Sequence, residues 1–144
     1  VLEAVTTAGW IAARRRIELS VVDAEEAVIA GDAALLRQLV LIILDNAIKF
    51  SDEGGAVRIT LSTDAAAATL TVVDGGLGIA AADVPHVFDR FYRSESVRGT
   101  TAGAGLGLAI ARWIAEMHGA QIAIAAEPVR GTRVTVRFPL IAPP

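Results

Sequence analysis

The chain has 144 residues, 53% of them hydrophobic, a net charge of −3 and no cysteine. That length and apolarity support one folded domain with its own core and argue against disorder, and no strongly basic face favours nucleic acid as a partner. Without a thiol there is neither a disulfide framework nor a cysteine-based metal or redox site, and the apolar runs are too short and too broken by charge to span a bilayer.

The sequence opens at Val1 in a helical pattern, with no signal-peptide pattern, and reads as a piece of a longer protein. A helix is expected from Val1 to about Arg15, ended by the basic run ARRRI. IELSVV, Ile17 to Val22, reads as a strand by its β-branched content. Glu26 to Ala30 is expected to add a second, short strand. Asp32 then caps a long helix whose apolar residues from Leu35 to Ile48 recur at helical spacing, and SDEGG ends it near Phe50. VRITLS, Val57 to Ser62, alternates as a half-exposed strand does. TLTVV, Thr69 to Val73, is more uniformly apolar and is expected to be central.

Ala81 to Asp89 suggests a short helix, and Ser94 to Ala104 an unusually long loop without periodicity, a kind more often functional than accidental. Leu106 to His118 is an amphipathic helix with Gly119 as its stop. IAIAA from Ile122 and RVTVRF, Arg133 to Phe138, are strands joined by a turn containing Gly131. The ending PLIAPP is expected to fray. The order is not a regular alternation of strand and helix, which argues against a doubly wound sheet. The expected fold class is α/β: a two-layer α/β sandwich, a mixed β-sheet with about three helices packed on one face.

Two glycine clusters, DGGLGI at Asp74 to Ile79 and GAGLGL at Gly103 to Leu108, demand a reason, because glycine weakens strands and fills no core. Glycines beside a helix start let backbone N–H groups approach phosphate. The P-loop pattern is absent, and the dinucleotide fingerprint fails because Leu108 holds its last glycine position and no strand precedes Gly103. What remains is a constellation. Asn46 and Lys49 share a face of an otherwise apolar helix, Asp74 stands at a strand end before a glycine turn, and a long loop leads into a glycine-rich helix start. A carboxylate can accept from the exocyclic amine of a base, and an amide oxygen can take part in binding Mg²⁺ that also holds phosphates. Lysine and a helix N-terminus suit a polyphosphate.

These segments resemble the boxes of the catalytic, ATP-binding domain of sensor histidine kinases, in the GHKL superfamily that includes DNA gyrase and the heat-shock chaperone ATPases. RQLVLIILDNAIKF (Arg37 to Phe50) resembles the N box, DGGLGI the first glycine box, and VFDRFYR (Val87 to Arg93) the F box. GAGLGLAIARWIAEMHGA (Gly103 to Ala120) resembles the second glycine box with its helix, and RGTRVTVRFP, Arg130 to Pro139, the closing strand. Each box alone is weak; four in order over nearly the whole chain are specific, and the F box points to histidine kinases.

The resemblance implies a GHKL-type ATP-binding fold, with residues 1–144 as one catalytic domain, a lid over ATP from about Leu77 to Ala104, and the dimerisation and phosphoacceptor domain elsewhere. It implies that Asp74 accepts the adenine amino group, that Gly76 and Gly78 shape that pocket, and that Ile79 lines it. Asn46 would hold Mg²⁺, Lys49 would reach the phosphates, and Phe50 would pack on the base. Gly103, Gly105, Leu106, Gly107 and Leu108 would present amides to phosphate, and Thr132 would hold a water near adenine. Tyr92 and Arg93, with Arg98, would belong to the lid. The implied activity is transfer of the ATP γ-phosphoryl group to a histidine on the separate domain, with a response regulator downstream. The implied setting is a cytoplasmic domain of a membrane-anchored protein, itself without direct membrane contact.

Two positions depart from the family pattern. Ile42 stands one turn before Asn46, where a polar residue is common, so water-activated ATP hydrolysis is expected to be poor. Gly75 stands where asparagine is usual and Leu77 where proline is frequent, changes expected to loosen the lid hinge without abolishing binding. Each motif also has a bland reading. Asp74 can cap a turn, Lys49 can pair with Asp45 at i,i+4, Phe88, Phe91 and Tyr92 can be core, and GAGLGL can be tight helix packing. His86 and His118 lack a phosphoacceptor context and read as structural. Two other functions stay open at this point: a serine kinase of the anti-sigma type, and a nucleotide-binding or interaction module without catalysis.

Overall fold

An aspartate-capped helix of 18 residues and five strands form the frame. The computed structural model describes residues 7–9, 12–14, 16–25, 29–51, 54–76, 87–88, 107–127 and 130–140. Residues 7–9 and 12–14 are helical and constitute α1; Ala8 and Ala12 are buried. Arg16 adopts a left-handed backbone, φ 57°, so that the Ile17 N–H reaches the Ala12 carbonyl at 2.9 Å. That bond closes the helix end in the manner usually assigned to glycine.

The strands are β1 (Glu18–Ala24), β2 (Ala56–Thr63), β3 (Ala67–Asp74), β4 (Gln121–Ala126) and β5 (Thr132–Pro139). The helices are α2 (Ala33–Phe50) and α3 (Gly107–Met117). The sheet order is β1-β2-β3-β5-β4, with β1 parallel to β2 and all other pairs antiparallel. A parallel pair needs a crossover, and α2 supplies it. The β2–β3 hairpin is closed by Asp64, whose carboxylate accepts from the Ala66 and Ala67 amides at 2.7 and 2.8 Å.

One face of the sheet is buried. Val57 and Ile59 of β2, Leu70 and Val72 of β3, and Val134 and Val136 of β5 lie on it. Ala8 and Ala12 of α1, the Leu39–Val40–Ile43–Leu44–Ala47–Ile48 stripe of α2, and Ala111, Ile114 and Ala115 of α3 cover it in a single cluster. This is a two-layer α/β sandwich with helices on one face of a mixed sheet, as the sequence implies. Full burial of a Leu or Ile side chain is worth about 1.5–3 kcal/mol, so the α2 stripe is the main anchor of the helical layer.

Of the short strand expected over Glu26 to Ala30, Ile29 and Ala30 are not in a strand and the rest lies outside the described residues; β1 runs on to Ala24, with a register shift between Val21 and Asp23. Such a bulge on an edge strand absorbs the extra residue and blunts the edge. Of the ending PLIAPP, expected to fray, Pro139 closes β5 and the Leu140 N–H bonds to the Ala66 carbonyl at 3.1 Å, and the rest lies outside the described residues. The short helix expected over Ala81 to Asp89 lies outside the described residues except Val87 and Phe88, which form a turn.

Candidate functional site

Topology brings the candidate residues to one end of the sheet. The chain leaves α2 at Phe50, turns, and enters β2 at Ala56, so the C-terminal part of α2 lies at the start of β2. There Val57 pairs with Asp74, the last residue of β3, and Asp74 pairs with Thr132, the first of β5. Asn46, Lys49, Asp74 and Thr132 are therefore held at a common end by helix length and strand register.

Asp74 is placed by the two-residue period of β3. Ala68, Leu70 and Val72 face the core, and Asp74 continues the same row, so the strand that builds the core also carries a carboxylate into it. Asp74 is 5% exposed. Its Oδ1 accepts from the Gly76 N–H at 2.9 Å, and the Thr132 N–H also donates to the carboxylate. Burial pushes its pKa up from the usual 3.8; the two amides oppose the rise and the charge of Glu127 adds to it. An ionised carboxylate has about four acceptor positions, so two amides leave capacity for a further donor.

The turn before β5 braces this corner. Gly131 has φ 107°, and a Cβ there would collide with the Asp74 carbonyl oxygen and lie 2.9 Å from its carbon. Arg130 Nε donates to the Gly76 carbonyl at 2.9 Å, and the Glu127 N–H donates to the Gly131 carbonyl at 3.0 Å. Sequence reasoning saw Gly131 only as a turn glycine and gave Arg130 no role. The adjacency of "RG" to the strand that pairs with Asp74 was the available signal, legible only with the register known.

Asn46 is half-buried on α2, beside the core stripe. Lys49 Nζ lies 3.0 Å from Asp45 Oδ2, the i,i+4 pair anticipated as the bland reading. Both side chains are partly exposed, so the pair is worth under about 1 kcal/mol. Among the described residues no cluster of three or more His, Asp or Glu side chains could hold a metal ion.

Gly107 opens α3 and is exposed, and Leu108 is half-buried. A Cβ on Gly107 would sit 3.5 Å from Ile42 Cγ2, an ordinary contact. Close helix packing therefore does not demand glycine at 107. Gly75 is exposed with open space around it, so asparagine would fit there as well. Gly78, Ile79, Tyr92, Arg93, Gly103, Gly105 and Leu106 lie outside the described residues, as do Arg98 and His86. Of the lid expected over Leu77 to Ala104, only Val87 and Phe88 are described. His118, read from sequence as structural, bonds to two helices at once. Its Nε2 accepts from the Asp32 N–H at 3.0 Å and its Nδ1 faces the Ile114 carbonyl at 2.8 Å.

Residues 31–142 match the family model described as histidine kinase-, DNA gyrase B-, and HSP90-like ATPase. The sensor histidine kinase YkoH of Bacillus subtilis is 39% identical over 117 residues, 81% of this chain but 25% of YkoH. Among solved structures, the mycobacterial sensor histidine kinase MprB superposes with a TM-score of 0.83 at 34% identity, covering 96% of this chain and 95% of that one. Full-length ShkA, solved in complex with AMPPNP, gives a TM-score of 0.79 at 26% identity, covering 98% of this chain and 30% of ShkA. The chain spans about a quarter of the length of the curated relatives it matches.

Two outcomes are expected from the Asp74 corner. Gly131→Ala should lower the apparent Tm by several degrees, since a side chain at positive φ and a backbone overlap are both destabilising by about 1 kcal/mol or more; a thermal melt measures it, and an unchanged Tm contradicts the brace. Because the folded state keeps the Asp74 proton at pH values where the unfolded chain has lost it, ionisation weakens folding as pH rises. The Tm of the ligand-free chain, taken relative to Asp74→Asn, should therefore fall as pH rises from about the unfolded value of 3.8, then level off above the raised folded value.

Proposed function

The chain belongs to the histidine kinase-, DNA gyrase B-, and HSP90-like ATPase family, and from that membership we propose that it is the ATP-binding catalytic domain of a two-component sensor histidine kinase. It transfers the γ-phosphoryl group of ATP to a histidine on a separate dimerisation and phosphoacceptor domain. The observation that carries the reading is the buried carboxylate of Asp74 with acceptor capacity to spare, at the same end of the sheet as Asn46, Lys49 and Thr132. A nucleotide like the AMPPNP of ShkA fits that end.

Asp74 accepts from the adenine exocyclic amine. Guanine presents a carbonyl oxygen at that position, and two acceptors facing each other in a buried site repel, so GTP is rejected. The Gly76 and Thr132 amides hold the carboxylate in place, and Thr132 is also positioned to anchor a water beside the base. Gly107 and Leu108 present N–H groups at the positive end of the α3 dipole, which suits phosphate oxygens. Among the described residues a Cβ at Gly107 would meet only Ile42, at an ordinary distance, which leaves room for a ligand to approach the backbone. Gly78, Ile79, Phe50, Tyr92, Arg93, Gly103, Gly105 and Leu106 complete the pocket and lid in this reading.

Bound Mg²⁺ would supply charge neutralisation at the transferring phosphates, with the Asn46 amide oxygen as its protein ligand. Lys49 adds a second positive charge. The attacking group is the acceptor histidine's own ring nitrogen; its bond to the γ-phosphorus forms as the bond from that phosphorus to the bridging oxygen of ADP breaks. No strong base is needed in this domain for that step. Ile42, the side chain one turn before Asn46, is apolar and packs beside Gly107, so it cannot activate water, and the chain alone should bind ATP with little turnover.

The partner is proposed to be a helical domain of the parent protein. Trp113 and Met117 are more than half exposed on α3, and Ile110 joins them at i, i+3, i+7 spacing. The chain represents about a quarter of its relatives' length, and the phosphoacceptor helices of the same protein are the occupant proposed for this face. Among the described residues no helix is long and apolar enough to cross a membrane. The setting proposed is the cytoplasmic side of a membrane-anchored sensor, with a response regulator receiving the phosphoryl group.

Calorimetric titration should give saturable Mg-ATP binding to this chain, weakened at least tenfold by Asp74→Asn, about 1.4 kcal/mol or more, with no GTP binding. No binding at millimolar ATP would overturn the reading in favour of a degenerate module. Labelling of a serine rather than a histidine acceptor would instead support the anti-sigma type. Trp113→Glu should leave ATP affinity unchanged and lower phosphotransfer to a separately supplied phosphoacceptor domain severalfold, read by radiolabel transfer.

A further inference from the structure

α2 and α3 touch at two places that together define a register. At one, the start of α3 meets the middle of α2, where Gly107 faces Ile42. At the other, His118, just past the end of α3, meets Gly31 and Asp32 at the start of α2. From 107 to 118 and from 42 back to 31 are equal steps of eleven residues, each about 16 Å of helix rise. The helices therefore run antiparallel, and the N-terminus of α3 points along α2 toward the segment that carries Asn46 and Lys49.

His118 makes the second contact specific. Nε2 accepts the Asp32 N–H at 3.0 Å, so the ring hydrogen is on Nδ1, which donates to the Ile114 carbonyl at 2.8 Å. The imidazole thus links the last turn of α3 to the first of α2. The need for it is written in α2's own sequence. In a capping box the N-cap N–H is satisfied by Glu or Gln at the third helical position. Here that position is Leu35, which can donate its own N–H to Asp32 Oδ1 at 3.0 Å but has no side-chain acceptor to return. His118 supplies the missing acceptor from the other helix. Gly31 is the matching recess, since a Cβ there would overlap the imidazole and come within 2.7 Å of Nε2.

We infer that His118 is a positioning residue for phosphate binding: by pinning the end of α3 to the Asp32 cap of α2, it sets the register that brings the Gly107 end of α3 to the phosphates beside Asn46. The inference rests on the nucleotide reading above. A slip of one residue moves the α3 N-terminus by about 1.5 Å, enough to lose N–H to phosphate geometry. Asp74 belongs to the sheet and is untouched by such a slip. The pin therefore acts on the polyphosphate and not on the base.

The test compares ATP with adenosine, which lacks phosphates, on this chain, by calorimetry with a melt of each variant. His118→Ala should weaken ATP roughly fivefold, the scale of one lost hydrogen bond, and leave adenosine affinity unchanged. His118→Gln, which keeps an acceptor at similar reach, should restore most of the ATP affinity. Gly31→Ala should reproduce the His118→Ala defect by displacing the ring, and add nothing in the His118→Ala background. Equal losses for ATP and adenosine, or a folded His118→Ala chain with full ATP affinity, would overturn the positioning role while leaving the nucleotide reading intact. Failure of the unaltered chain to bind ATP, or full ATP binding by Asp74→Asn, would sink the nucleotide reading and this inference with it.

Discussion

Everything at the functional end depends on a carboxylate that the core is built to hold. Asp74 occupies the next inward position after Leu70 and Val72, so the alternation that makes β3 a central strand also buries an acid. An uncompensated buried charge is prohibitive. The Gly76 and Thr132 amides oppose that cost, and both are available because β5 pairs with β3 through to Asp74 and the Gly76 N–H reaches back to the carboxylate. The result is an acceptor that is ordered, partly desolvated and unsaturated. Such a group discriminates well between a donor and an acceptor, because a wrong partner cannot be rescued by water.

The described glycines serve unlike purposes. Gly131 is a steric necessity: its backbone sits at positive φ against the Asp74 carbonyl. Gly31 is a recess for the His118 ring. Gly107 and Gly75 are crowded by no described residue, since a Cβ at 107 would make an ordinary contact with Ile42 and one at 75 would meet nothing among the described residues.

The helical layer is fastened in two ways. α2 is held by its apolar stripe, a contact that is strong but not direction-specific along the axis. α3 contributes Ala111, Ile114 and Ala115 to the core, a shorter apolar stripe than that of α2. The contacts at its end, at His118, Asp32 and Gly31, add a specific register along α2.

What the sequence by itself determined was the set of elements and the chemical inventory. Periodicity placed α2 from its Asp32 cap to Phe50 and identified β3 as central, because local spacing decides which face of a helix or strand is apolar. The order of the boxes was enough to identify the family. What only the tertiary structure decided was every relation across distant parts of the chain: the pairing of Asp74 with Thr132, the wedge of Gly131, the Arg130 bond to Gly76, and the bridge from His118 to Asp32. His118 looked like a helix-end residue because one of its two partners, the Asp32 N–H, lies 86 positions away. The register shift between Val21 and Asp23 that lets β1 run on to Ala24 was illegible for a related reason, since it arises from pairing with β2. Hydrogen bonds between remote segments leave no period in a sequence, so they become legible only when the fold has set the register.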